Sequence, residues 1–156
     1  MPIKKRLTEF LDEKGVKYVI MVHSRAYTAQ ELAATLHVPG KRFAKTVILK
    51  ADSEPVMAVI PASYKINLNR FKEVANANDV ELAGEEEFTT LFPNCELGAM
   101  PPFGMLYGLP TYVDASLTGE EEIYFNAATH TEVIKMRLAD YLQLVEPVIA
   151  SFAEHI

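Results

Sequence analysis

One cysteine, Cys95, stands in a chain of 156 residues, which excludes an internal disulfide and a cysteine-based zinc cluster. Long apolar runs are missing too. The longest, such as VMAVIPA at 56–62, fall far short of the ~20 residues that a membrane helix needs. The opening MPIKKRLTEFLDEKG has basic residues with no apolar stretch behind them, so no secretory leader is expected and the cytoplasm is the expected location. Positive charge is in deficit. A net charge of −6 argues against a general nucleic-acid binder, which is usually basic. Familiar site patterns are also lacking: no G-x-S-x-G, no H-E-x-x-H, no Walker loop and no dinucleotide fingerprint. His23, His37, His130 and His155 are too scattered to suggest a metal site.

What is present reads as a globular domain. A hydrophobic fraction of 49% with 23% charged residues fits an ordinary folded chain of one-domain size. Charge is uneven along it. Acidic runs lie at 85–87 and 120–122, whereas Lys41, Arg42, Lys45 and Lys50 fall close together. That basic cluster is either a solvated face or a patch able to hold one phosphate-bearing end of a partner.

The hydrophobic pattern predicts a helix over 3–13, with Leu7, Phe10 and Leu11 at helical spacing and Gly15 as its stop. KYVIMVH reads as a strand, and TAQELAATLHV as a helix capped by Thr28 with Glu31 three residues on. FAKTVILKA and EPVMAVIPA, joined by Asp52-Ser53-Glu54, form an antiparallel hairpin signal. LNRFKEVANA and EEEFTTLF look helical, DVELA short and extended. MLYGLPTYVDASL and EIYFNAA look strand-like, followed by TEVIKM and a closing helix from about Arg137. Helices and strands are interspersed without regular βαβ units, so an α+β domain spanning 1–156 is expected.

Two features invite chemistry. Lys45 lies among Phe43, Ala44 and Val47, where it either points to solvent or places a positive charge on a pocket wall. The stretch LGAMPPFG at 97–104 is uncharged and stiff, with two prolines between two glycines.

Taken in order, HSRAYTAQELA at 23–33, FAKTV at 43–47, the GxxxP spacing from Gly98 to Pro102 and YVD at 112–114 resemble the YbaK/ProX-type aminoacyl-tRNA deacylases. Those proteins are related to the editing domain inserted in bacterial prolyl-tRNA synthetases. The resemblance spans residues 20 to 136, with LFPNC departing from the Thr-Gly pair that the family often carries.

The resemblance implies a mixed, mostly antiparallel curved sheet flanked by helices, and hydrolysis of the ester between a wrong amino acid and its tRNA. Members use no cofactor and no metal. Lys45 matches the lysine that engages the substrate near the scissile ester, and Gly98 begins the loop whose backbone lines the carbonyl. Ala99, Met100, Pro101 and Pro102 continue that loop as candidate substrate contacts, Ala99 and Met100 either as a size gate or as turn packing. His23, Tyr27 and Asp114 either shape the pocket or support the fold, and His130 falls where some members bring a residue to the amino-acid pocket. The expected partner is the 3′ end of a mischarged tRNA, delivered with or without a synthetase. A binding module that has lost hydrolysis, and an esterase for free amino-acid esters, are the other readings.

Overall fold

The computed structural model describes residues 3–22, 39–84, 86, 87, 90, 95, 99–129 and 131–156. The helix expected over TAQELAATLHV and most of the one over EEEFTTLF lie outside them, as do His23, Tyr27, Gly98 and His130.

The first helix, α1, runs Ile3–Glu13 and buries Leu7 and Leu11 completely. Gly15 ends it at φ +69°, a left-handed value that favours glycine, and Val16 N–H returns to the Leu11 carbonyl at 3.1 Å. Strand β1 (Tyr18–Val22) follows. The hairpin of β2 (Ala44–Ala51) and β3 (Glu54–Pro61) is in register along its whole length, from Ala44↔Pro61 to Ala51↔Glu54. Its turn residues Asp52 and Ser53 both have positive φ, 50° and 71°, the turn geometry whose twist suits a two-residue hairpin. The Asp52 carboxylate then accepts from Asn78 N–H and Asp79 N–H at 3.0 and 2.9 Å, which positions the next strand.

Next come β4 (Tyr64–Ile66), α2 (Leu68–Val74) and β5 (Val80–Leu82). The side chain of Asn67 caps α2 by accepting from Arg70 N–H. Strand β6 (Thr111–Asp114) leads to β7 (Glu122–Asn126) and β8 (Glu132–Arg137). Helix α3 (Leu138–Val145) precedes two short strands, β9 (Val148–Ala150) and β10 (Ala153–His155).

Three ladders result: β5-β2-β3-β6-β9, β1-β8-β7 and β10-β4. Only β3–β6 and β6–β9 are parallel, so the α+β, mostly antiparallel expectation holds. The five-stranded sheet is covered on both faces. One face carries Ala44, Ile48, Met57 and Val59 against α1 and α3, and the other carries Leu49, Val56, Ala58 and Ile60 against Phe71 and Phe152. Burial on both sides explains why β3 reads as a continuous apolar run rather than an alternation.

Two sequence expectations need correction. MLYGLPTYVDASL is not one strand. It divides into a 3₁₀ turn at Gly104–Tyr107, β6, and a second 3₁₀ turn at Ala115–Gly119. Gly108 at φ 71° breaks the first part, and the Asp114 side chain caps the second by accepting from Ser116 N–H. The closing helix is also shorter than expected. Glu146, at φ 49°, and Pro147 stop it, and the chain returns as β9 and β10.

Candidate functional site

Strands β2 and β7 belong to different sheets yet lie side by side, joined by a parallel bridge between Tyr124 and Phe43, the residue before β2. Tyr124 N–H donates to the Arg42 carbonyl at 3.0 Å there. Beyond that bridge each strand keeps its own partner: Lys45 pairs with Ile60 on β3, and Asn126 with Val133 on β8. The seam between the two sheets therefore begins at Phe43 and Tyr124, and the residues that follow line it.

Lys45 stands at this seam, two residues past Phe43. It is half-buried, and its Nζ donates to the Ala62 carbonyl at 3.3 Å. Burial holds its ammonium below the ordinary lysine range. The neighbouring cations differ. Arg42 Nε meets Glu120 Oε1 at 2.8 Å, and Lys50 Nζ meets Glu87 Oε1 at 2.7 Å and Glu81 Oε1 at 3.2 Å. The hydrogen bond that Lys50 donates to Glu87 is the main reason that its pKa is raised rather than lowered. The acidic runs thus neutralise Arg42 and Lys50, two of the four residues of the basic cluster. Among the described residues no carboxylate pairs with Lys45, and its charge is left for an external anion or a carbonyl oxygen. Beside it lies an apolar groove of about 300 Å³ walled by Val47, Ile60, Ile66 and Leu68, with Lys65 also on its lining.

The described part of the proline loop starts at Ala99. Ala128 N–H donates to the Ala99 carbonyl at 2.9 Å, from a residue at φ 77°, two places past Asn126. Phe103 N–H turns back to the Pro101 carbonyl at 2.8 Å, and the Tyr141 hydroxyl donates to the Pro102 carbonyl at 2.6 Å. The Phe103 ring sits edge-on to Phe10, Phe125 and Tyr141 at centroid distances of 6.4, 5.4 and 5.3 Å. All four loop residues from Ala99 to Pro102 are buried, and Met100 lies in the main core with Leu7 and Leu11. The turn-packing reading of Ala99 and Met100 fits this burial. What fixes the loop is its backbone, gripped from β7 and from α3.

Asp114 lies beside this end of the sheet, next in register after the Val59↔Val113 pair. Its carboxylate is fully engaged. Oδ1 accepts from Phe152 N–H and Ala153 N–H, each at 2.9 Å, and Oδ2 accepts from Ser116 N–H and the Ser116 hydroxyl. It joins β6 to the chain returning from β9, which is the fold-supporting role. The chain leaving β7 holds the loop at Ala99, and Lys45 lies two residues past the Phe43–Tyr124 bridge. His23, Tyr27, Gly98 and His130 lie outside the described residues.

Sequence reasoning missed Asn126 and Thr46, two buried polar residues whose Oδ1 and Oγ1 have no hydrogen-bond partner among the described residues. The available signal was a lone asparagine in the apolar run IYFNAA.

With this geometry in view, the comparisons with known proteins become decisive. A family model described as an aminoacyl-tRNA editing domain matches residues 23–144. The chain belongs to that family. Among curated relatives, the proline–tRNA ligase of Bacillus mycoides (strain KBAB4) is 30% identical over 93 residues, covering 60% of this chain and 16% of the ligase. The proline–tRNA ligase of Bacillus cytotoxicus is 29% identical over 102 residues, covering 65% and 18%. This editing domain thus spans less than a fifth of the length of the ligases it matches. Two crystal structures share its fold over nearly the whole chain. A hypothetical protein superposes with a TM-score of 0.86 at 22% identity, covering 96% of this chain and 99% of that one. A candidate trans-editing enzyme for prolyl tRNA synthetase superposes with a TM-score of 0.83 at 21% identity, covering 99% and 98%. The editing domain's seam, with Lys45 two residues past the bridge and Ala99 held by Ala128, falls inside the matched span.

Proposed function

We propose that this editing domain is a trans-editing hydrolase that removes a wrong amino acid from the 3′ end of a mischarged tRNA. The class most favoured is tRNA for proline carrying a small residue such as alanine or cysteine. The carrying observation is Lys45: a half-buried ammonium with a single carbonyl contact, two residues past the bridge that joins the two sheets. Such a cation holds a phosphate or the ester region of an aminoacyl nucleotide without competition from a carboxylate.

An ester to a ribose hydroxyl needs no protein nucleophile. Water adds to the ester carbonyl, the developing oxyanion is held by donors already in place, and the C–O bond to ribose breaks. The ribose oxygen takes up the proton that the water gives away, and a vicinal ribose hydroxyl assists the transfer. In this reading the backbone N–H groups of Gly98, Ala99 and Met100 are the donors, on a loop stiffened by Pro101 and Pro102, which have no N–H of their own. Fixed donors suit this role because nothing reorganises as charge develops, and one such donor is worth about 3–4 kcal/mol. The anchoring of Pro102 by Tyr141 and of Ala99 by Ala128 supports it.

The need for a second site follows from binding limits. A synthetase pocket gains only ~1–3 kcal/mol from one methylene and admits smaller errors. Deacylation of alanyl-, cysteinyl- and seryl-tRNA tests the proposal. A binding module would hold the tRNA without releasing amino acid, and a general esterase would clear free amino-acid esters without tRNA.

A further inference from the structure

Asn126 ends β7 at the seam, and it is 5% exposed. Its Oδ1 is shut off from solvent and meets no donor among the described residues. A buried polar group left unpaired costs about 1–3 kcal/mol, and native structures keep few of them. Every neighbour from Ile123 to Ala128 other than Tyr124 is apolar, so the local pattern calls for an aliphatic side chain here. A residue that works against its own fold is most often kept for a ligand.

Alternation along the strands says which way it faces. Ile123, Phe125 and Ala127 belong to the main core, whereas Tyr124 packs with Phe43, Ala62 and Val133 on the other face. Asn126 shares the Tyr124 face. On β2, Phe43 belongs to that same small cluster, and Lys45, two residues on, donates to Ala62 within it. Lys45 and Asn126 are therefore each two residues beyond the Phe43–Tyr124 bridge and on the same side. Two residues further, Ala128 holds Ala99. Asn126 thus lies on the Lys45 side of the bridge, two residues before the N–H that holds the loop.

We propose that Asn126 is a specificity residue whose Oδ1 accepts a hydrogen bond from the α-ammonium of the aminoacyl group. The inference rests on the editing reading of Lys45 and the loop. An aminoacyl ester carries a cationic donor one carbon from the carbonyl under attack, and charge-assisted bonds of this kind are the strong ones. A neutral acceptor also suits the position. A carboxylate there would add a buried negative charge, at a heavy desolvation cost whenever the site is empty. An amide receives the ammonium without adding that charge.

The test compares kcat/KM of the wild type, Asn126→Ala and Asn126→Leu on two substrates. One is the aminoacyl-tRNA that the wild type clears fastest; the other is its des-amino counterpart (propionyl-tRNA where alanyl-tRNA is the substrate). Both variants should lose about 10–100-fold on the aminoacyl substrate and stay within about twofold on the des-amino one. Asn126→Leu, which keeps the volume and removes the unpaired amide, should melt no lower than wild type. Equal losses on both substrates, undiminished activity on the aminoacyl one, or a lowered melting temperature for Asn126→Leu would overturn the assignment. A wild type inactive on every mischarged tRNA would instead overturn the editing reading, and this inference with it.

Discussion

Tyr141, on the last helix, donates its hydroxyl to the carbonyl of Pro102 at 2.6 Å, with both residues buried. This bond ties the proline loop to α3. Burial raises the phenol well above its ordinary pKa and so favours the protonated, donating form. Tyr141→Phe removes the donor and keeps the ring against Phe103. It should cost about 1–3 kcal/mol in urea denaturation, because the Pro102 carbonyl is left unpaired. Deacylation by Tyr141→Phe should fall in kcat with KM nearly unchanged, since the loop loses its anchor and Lys45 does not.

Lys45 carries a stability prediction separate from its activity. Its folded pKa lies below the ordinary 10.5, so at neutral pH the fold holds a charged group that burial disfavours. The native state binds fewer protons than the unfolded chain between the lowered pKa and 10.5, and stability therefore rises with pH across that window. Lys45→Met should raise Tm near neutral pH by roughly 1–3 °C, a small gain because the group is only half-buried. That gain should vanish above pH ~10.5. Calorimetry of both proteins at the two pH values checks the sign.

Asp114 is expected to matter for folding. Its carboxylate takes four donors, two of them backbone N–H groups that begin the return to β10. Asp114→Ala strands those donors in a buried place and should cost about 3–5 kcal/mol by denaturant titration. Any loss of deacylation at low temperature should be no larger than the folded fraction explains.

Gly104 shows where close approach demands glycine. A Cβ there would clash with Thr111 Oγ1, which can rotate, and lie 2.6 Å from the Leu109 carbonyl oxygen, which is backbone and cannot retreat without shifting the chain that enters β6. Gly104→Ala should destabilise by about 1–3 kcal/mol, read by thermal melting.

Much of this fold was legible in the pattern of residues. The β2–β3 hairpin announced itself through two β-branched runs and a short polar turn, and α1 through its spacing and Gly15. The segment 105–117 was misread because its apolar content suits both a strand and packed turns; only Gly108 and Pro110 hinted at the breaks. Strands β9 and β10 are three residues each and depend on distant partners, Asp114 among them, which no local window contains. The site divides in the same way. Lys45 stood out as a cation among apolar neighbours, but that Arg42 and Lys50 carry carboxylate partners and Lys45 does not is a matter of tertiary placement. Asn126 acquires meaning only once the Phe43–Tyr124 bridge sets its strand beside β2.

The central claim is tested most directly by release of amino acid from alanyl-, cysteinyl- and seryl-tRNA, using tRNA for proline, with the wild type and Lys45→Ala side by side. The account predicts that the wild type clears at least one of the three, and that folded Lys45→Ala loses about 10–100-fold or more, the worth of a charge-assisted contact. Equal turnover by the two proteins, or none by the wild type on any of the three, would contradict it.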